Sequence, residues 1–284
     1  MATIGKDPVW FITGCSTGFG RELAQMVLAG GGRVVATARN PATLTDIVRG
    51  REDRTLGLVL DVTKQEQITA AVKAAEQKFG GIDVLVNNAG YGYFATLEDG
   101  DEAAYRQLFE TNVFGLIAMT KAVLPGMRFR KRGHIVNLSS ILGFVGLPSS
   151  SFYAATKFAV EGLSEATAAD LKPLGISVTV VEPSGFRTDF SGRSLQTQGT
   201  QITDYADTAG AMIAYMKQGE RKREGDPKRA VAAIIDAVNA IEPPFRLLLG
   251  NTAVELARRK LAGVTLEIDR WETLARGADY PAQS

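Results

Sequence analysis

Tyr153 and Lys157 stand four residues apart in Tyr153-Ala154-Ala155-Thr156-Lys157, a spacing that puts both side chains on one face of a helix. An isolated tyrosine ionises near ~10 and is a poor base at neutral pH; a neighbouring ammonium favours the phenolate and draws its pKa toward the working range. The pair is equipped for proton transfer. Ser140 precedes Tyr153 by thirteen residues, across a loop holding Gly143, Gly146 and Pro148. That loop can return the chain from a strand end to a helix start and bring both hydroxyls to one rim.

A second chemistry sits near the start of the chain. Thr13-Gly14-Cys15-Ser16-Thr17-Gly18-Phe19-Gly20 leads from the apolar run Val9 to Thr13 into Arg21-Glu22-Leu23-Ala24, which reads as helix. Strand, glycine turn and helix form what a dinucleotide needs. The glycines let the backbone approach a pyrophosphate, and the helix N-terminus offers free N–H groups at the positive end of its dipole. The spacing is not G-x-G-x-x-G, so the loop alone leaves open a turn that serves only helix-strand packing.

The elements that must position these residues follow from periodicity. Val9 to Thr13, Arg33 to Ala38, Thr55 to Asp61, Ile82 to Asn87, His134 to Ser139 and Ile176 to Glu182 are short, apolar on both faces and rich in Val, Ile and Leu, as strands buried between two helical layers should be. Gly20 to Leu28, Lys64 to Phe79, Ala103 to Lys131 and Tyr153 to Leu171 are long enough for crossover helices. The alternation predicts an α/β chain: one Rossmann domain over residues 1–284, a doubly wound parallel sheet of about seven strands with helices on both faces. Its crevice should lie at the carboxyl ends of the strands. From Pro183 to Pro227 the rhythm is lost to polar residues, Gly, Ser and Thr, with a helix expected over Tyr205 to Gln218. A substrate-binding lid is therefore expected at about 184–226. Arg229 to Ile241 reads as helix, Phe245 to Leu249 as a last strand, and Thr252 to Leu274 as a helix within a C-terminal extension at about 251–284.

Composition excludes other mechanisms. One cysteine, Cys15, and one histidine, His134, supply neither an intramolecular disulfide nor the ligand clusters of most zinc centres, so no metal is expected. A net charge of +1 gives no global pull toward nucleic acid. No leader of basic then apolar residues is visible, and no apolar run reaches the roughly 18 residues of a membrane span, so a cytoplasmic location is expected. Glycine is in excess, 30 residues in 284, against about 7% in an average chain, so the backbone must turn tightly or approach something closely.

Together the motifs T-G-x-x-x-G-x-G from Thr13, Asn87-Asn88-Ala89-Gly90, and Ser140 with Tyr153-x-x-x-Lys157 resemble the short-chain dehydrogenase/reductase family in its compact single-domain branch. The resemblance implies an oxidoreductase using a nicotinamide cofactor, held by Gly14, Ser16, Thr17, Gly18, Phe19 and Gly20 and by Asn88, Ala89 and Gly90. It implies Tyr153 as proton donor, Ser140 rather than Ser139 as the hydroxyl on the substrate oxygen, Lys157 on both the tyrosine and the nicotinamide ribose, and Asn112 as support for a proton path. Asp61 and Val62 match the adenine-binding position, with a helix cap ahead of Lys64 as the other reading of Asp61. Pro183, Gly185 and Thr188 resemble the segment beside the nicotinamide, with Thr188 on its carboxamide; a turn made by Pro183 and Gly185 is the alternative.

The second strand ends Ala38-Arg39-Asn40, with no carboxylate to accept bonds from an adenosine ribose. Arg39 and Ser16 would instead meet a 2′-phosphate, which predicts NADP(H), with NAD(H) as the alternative. Residues after the strand ends, Tyr91, Phe94, Ser140, Leu142, Phe144, Ser184 and Phe186, are expected to line a pocket for a hydrophobic ketone, aldehyde or alcohol. The resemblance points toward steroid- and retinoid-dehydrogenase-like members, and toward a homodimer or homotetramer that buries the long helix from Ala103 and the Tyr153 helix. Two other readings remain: an NADP-binding regulatory or sensor protein with little turnover, and an NAD-preferring alcohol or steroid dehydrogenase.

Overall fold

A computed structural model describes residues 4–5, 7–188, 194–217 and 224–280. Its strands are β1 (Val9–Ile12), β2 (Arg33–Ala38), β3 (Thr55–Val59), β4 (Val84–Asn87) and β5 (Gly92–Phe94), then β6 (Gly133–Leu138), β7 (Ile176–Pro183), β8 (Leu195–Thr197) and β9 (Arg246–Leu249). The helices are α1 (Gly18–Ala29), α2 (Thr45–Val48), α3 (Gln65–Phe79), α4 (Glu102–Phe109) and α5 (Gly115–Arg130). They continue with α6 (Ser151–Leu171), α7 (Ala211–Lys217), α8 (Pro227–Asn239) and α9 (Asn251–Arg276). The fold is a single-domain α/β Rossmann architecture. Seven parallel strands lie in the order β3-β2-β1-β4-β6-β7-β9.

Alternation along β1 shows why both faces must be covered. Trp10 and Ile12 enter the core under α1 and α8, whereas Val9 and Phe11 enter the opposite core under α3 and α5. β4 repeats the pattern, with Val84 and Val86 on the first side and Leu85 on the second. Phe11 and Ile12 are wholly buried, so truncating either to Ala costs about 2–5 kcal/mol. The chain builds outward from β1 through β2 and β3, then returns to the other side of β1 as β4. Strand order reverses between β1 and β4, and a crevice opens at their carboxyl ends.

Three details depart from the sequence reading. The expected helix Ala103 to Lys131 is interrupted: α4 and α5 are separated by a π-helical segment, Glu110–Phe114. The lid stretch contributes β8, which pairs with β5 in a separate parallel ribbon, and within the expected helix from Tyr205 a π segment, Ala206–Gly210, precedes the short α7. Residues 189–193 and 218–223 of the lid lie outside the described residues. No described helix is long and apolar enough to cross a membrane.

Candidate active site

The crevice is built by stitching two strand ends together. Thr13 Oγ1 accepts from Asn88 N and Ala89 N, both at 2.9 Å, and Asn88 Nδ2 donates to Thr13 O at 2.8 Å and Gly14 O at 3.1 Å. Two glycines are obligatory here for different reasons. Gly14 has φ +72°, and a Cβ on it would lie 3.0 Å from Ala89 Cα; one on Gly20 would overlap Asn88 Nδ2 and lie 2.6 Å from Gly14 O. Thr17 makes no capping bond to α1, and the first turn of α1 carries no acidic residue. The leading N–H groups of α1 are thereby left for an anion. At the head of α1, the nearest atom to a Cβ on Gly18 among the described residues would be Thr188 Cβ at 3.8 Å.

The neighbours of this cradle are now located. Arg39 is exposed at the end of β2, near enough to Tyr91 for its charge to act on that hydroxyl. Asp61 Oδ1 accepts from Thr63 N at 3.0 Å and Thr63 Oγ1 at 2.8 Å, so it caps the turn before α3, not α3 itself. Val62 is buried against Gly115. Cys15 points inward with its thiol on Ile12 O, and burial pushes its pKa up to about 12, which removes it as a nucleophile.

Tyr153, Lys157, Ser140 and Asn112 converge beside the same crevice, all at least nine-tenths buried. Ser140 caps the 3₁₀ turn Ile141–Gly143, accepting from Leu142 N at 3.1 Å, and its hydroxyl lies near enough to Tyr153 to favour the phenolate. Lys157 Nζ donates to Leu138 O at 2.7 Å and lies 5.6 Å from the centroid of the Tyr153 ring. Asn112, in the π segment, accepts from Tyr91 N at 3.1 Å and donates to Tyr91 O at 2.9 Å and Thr156 Oγ1 at 3.2 Å. A Cβ on Gly90 would lie 3.0 Å from Asn112 Oδ1 and 3.9 Å from Lys157 Nζ, so the three meet around that glycine.

The electrostatics differ from the sequence expectation in one respect. Burial raises the Tyr153 phenol above its ordinary value, opposed by the nearby Ser140 hydroxyl. Burial also lowers Lys157 to about 8, opposed by Glu161. Desolvation disfavours the charged form of both groups. Burial thus favours the protonated phenol.

Residues 8–199 match the family described as short chain dehydrogenase. The chain belongs to the short-chain dehydrogenase/reductase family. It is 40% identical over 246 residues to a 3-ketodihydrosphingosine reductase of Bacteroides thetaiotaomicron, covering 86% of this chain and 88% of that protein. A short-chain dehydrogenase from Streptomyces avermitilis superposes with a TM-score of 0.91 at 39% identity, covering 97% of this chain and all 100% of that one. A structure of ElxO with NADP bound superposes with a TM-score of 0.71 at 25% identity, covering 88% and 99%. The protein is an oxidoreductase of this family.

Within this dehydrogenase fold, the expected pocket residues divide into two groups. Phe94, Leu142 and Phe144 pack in the cluster that holds Tyr153, with the Phe94 and Tyr153 rings 5.3 Å apart. Tyr91 sits at the Asn112 junction. Phe186 belongs instead to the core under α1 and α8, edge-on to Phe19 at 5.2 Å. Ser184 Oγ is turned to Leu249 O at 3.3 Å and blocks any side chain on Gly250. Following a strand end in sequence does not fix which way a side chain faces, and β9 draws Ser184 toward itself. Met212 and Met216, within the expected lid and its helix from Tyr205, pack on the Tyr153 cluster, whereas nothing in the sequence pointed to Glu161, Glu182 and Arg246 beneath it.

Proposed function

We propose that this protein is an NADP(H)-dependent oxidoreductase that interconverts a hydrophobic ketone or aldehyde and its alcohol, with Tyr153 as general acid and base. One observation carries the reading: the Tyr153 phenol is desolvated in an apolar cluster, with the Ser140 hydroxyl near it and Lys157 against its ring. A buried phenol kept protonated beside a second hydroxyl is suited to giving a proton to a carbonyl oxygen.

The cradle residues fit a dinucleotide. Gly14, Ser16, Thr17, Gly18, Phe19 and Gly20 would hold its pyrophosphate, with Asn88, Ala89 and Gly90 as the facing wall. Arg39 and Ser16 would pair with a 2′-phosphate; Asp61 and Val62 would border the adenine. Pro183, Gly185, Thr188, Tyr153 and Lys157 would border the nicotinamide half. When bound, the nicotinamide supplies or accepts a hydride at its C4.

The chain's own residues do the remainder. In reduction, Tyr153 Oη gives its proton to the substrate oxygen as negative charge grows there, and Ser140 Oγ hydrogen-bonds the same oxygen. Lys157 holds a positive charge near the resulting phenolate. In oxidation the proton moves the other way, from the alcohol to Tyr153. Asn112 fixes the Tyr91 backbone and lies next to Lys157, where it can support proton exchange through water. Phe94, Leu142, Phe144 and Met216 make an apolar wall that favours an uncharged substrate.

Residues 184–226 act as the lid and 251–284 as an extension. Exposed Phe114 and Phe129 on the π segment and α5, and Phe158 on α6, support a homodimer or homotetramer through those helices. Light scattering that returns a monomer at micromolar concentration would contradict the assembly. The reading is tested by following NADPH consumption with aldehydes, ketones and diketones of increasing apolar size. Turnover rising with apolar size is expected; binding of NADPH with no turnover on any carbonyl would favour a sensor.

A further inference from the structure

Behind Lys157 lies a set of buried charges that proton transfer to substrate does not use. Glu161 is on α6, four residues after Lys157, and is 5% exposed; Glu182, on β7, is 1% exposed. Arg246, on β9, meets both, with Nη1 2.5 Å from Glu161 Oε2 and 2.6 Å from Glu182 Oε1, and its Nη2 reaches exposed Glu165 at 3.2 Å. Its guanidinium lies against the rings of Phe144 and Phe245 at 5.4 and 5.2 Å. Two desolvated carboxylates thus share one guanidinium. Buried charge requires a partner; Lys157, one turn earlier on α6, is a second cation whose charge Glu161 favours.

Packing fixes this arrangement. A Cβ on Gly143, in the turn that Ser140 caps, would lie 2.5 Å from Ser139 Oγ and 3.1 Å from both Glu161 Cγ and the Lys157 carbonyl carbon. The turn is pressed onto Glu161 and Lys157 at once. Glu161 Oε1 and Glu182 Oε2 have no well-formed hydrogen bond, nor does Ser139 Oγ. Ser139 nevertheless lies near enough to favour the ionised form of Glu161, while burial and Glu182 disfavour it.

We infer that Glu161 is a positioning residue: its carboxylate, held by Arg246 one helical turn from Lys157, keeps the lysine charged and thereby sets the proton affinity of Tyr153. The charged and titratable groups facing Glu161 are Lys157 and Glu165 on its own helix, Glu182 on β7 and Arg246 on β9; the Ser140 turn adds only the Ser139 hydroxyl. Removing the carboxylate takes away the influence that opposes desolvation at Lys157. A neutral lysine cannot favour the phenolate.

The inference rests on the reading of Lys157 as partner of Tyr153, and its test is separate from that reading. Protein labelled with ¹³C-lysine, without cofactor, is titrated by NMR, and the Lys157 signal is identified by its loss in Lys157→Ala. In Glu161→Gln the Lys157 midpoint should fall by about one pH unit, a tenfold change in its protonation constant. Glu182→Gln removes the same charge from Arg246 but lets Glu161 ionise more fully, so there the midpoint should stay or rise. Glu161→Asp, with its carboxylate a methylene shorter, should lower it by less and carries the test if the glutamine variant does not fold. In turnover, the acidic limb of alcohol oxidation should move to higher pH in Glu161→Gln alone. A Lys157 midpoint unmoved in both Glu161 variants, or lowered equally by Glu182→Gln, would overturn the inference while leaving the role of Tyr153 intact.

Discussion

Asn112 grips the backbone of Tyr91 from both sides, accepting from its N–H at 3.1 Å and donating to its carbonyl at 2.9 Å. Such a two-way bond needs the amide to sit square to an extended backbone. The π segment Glu110–Phe114 supplies that placement by widening one turn of an otherwise α-helical stretch. The third bond, to Thr156, ties the same amide to the helix of Tyr153 and Lys157. One side chain thus fixes the strand end, the π turn and α6 relative to one another.

Asn112→Ala leaves the Tyr91 N–H and carbonyl without these partners. A stability loss of about 1–3 kcal/mol in urea unfolding is expected, together with a fall in kcat of at least about tenfold as the site loosens. Asn112→Asp keeps the acceptor and loses the donor, so its stability should fall between the two. An alanine variant as stable and as active as the parent would show that the grip is incidental.

Arg39 is exposed and holds no strand in place, so its substitution should change cofactor choice without changing stability. In Arg39→Asp, KM for NADPH should rise by about tenfold or more, consistent with loss of a charge-assisted phosphate bond, while KM for NADH falls. Steady-state kinetics with both reduced cofactors decides this. A parent enzyme that prefers NADH would refute the assignment before any variant is made.

His134 gives the fold a predicted acid sensitivity away from the site. Thr179 Oγ1 donates to Pro244 O, so at the 2.9 Å contact with His134 Nε2 the imidazole must be the donor, which leaves Nδ1 unprotonated and without a partner. Burial lowers the His134 pKa from 6.5 to about 4. Between those values the unfolded chain binds a proton that the folded one refuses. Stability is therefore unaffected by this group above about pH 6.5 and falls as pH drops toward 4, by up to about 3 kcal/mol. Denaturant melts at pH 7 and 5 should show a smaller difference in His134→Gln than in the parent. Equal differences would remove His134 as the cause.

Much of this was legible in the sequence because local pattern and global fold agree. Runs such as Val9-Trp10-Phe11-Ile12 are short and apolar at every position, as a strand covered on both faces requires, and the structure sends alternate residues to opposite cores. The meeting of Asn88 with Gly14 and Gly20 was legible as motifs, although not as the hydrogen bonds that make those glycines obligatory. The π turn was not, because its residues would suit an α-helix and the extra residue is placed by contacts with Tyr91 and Thr156. Ser184 and Phe186 follow a strand end, yet their directions are set by β9 and α1, far away in sequence. Arg246 and Glu161 are 85 residues apart, and no spacing rule joins them.

The central claim is that Tyr153 moves the proton. It is tested most directly by NADPH-dependent reduction of a carbonyl that the parent enzyme turns over, measured beside NADPH binding in Tyr153→Phe. The phenylalanine keeps the ring against Phe94 and removes only the hydroxyl. In Tyr153→Phe, kcat should fall by about a thousandfold or more while the Kd for NADPH stays within about threefold of the parent. Reduction at the parental rate by a folded Tyr153→Phe enzyme would contradict the claim.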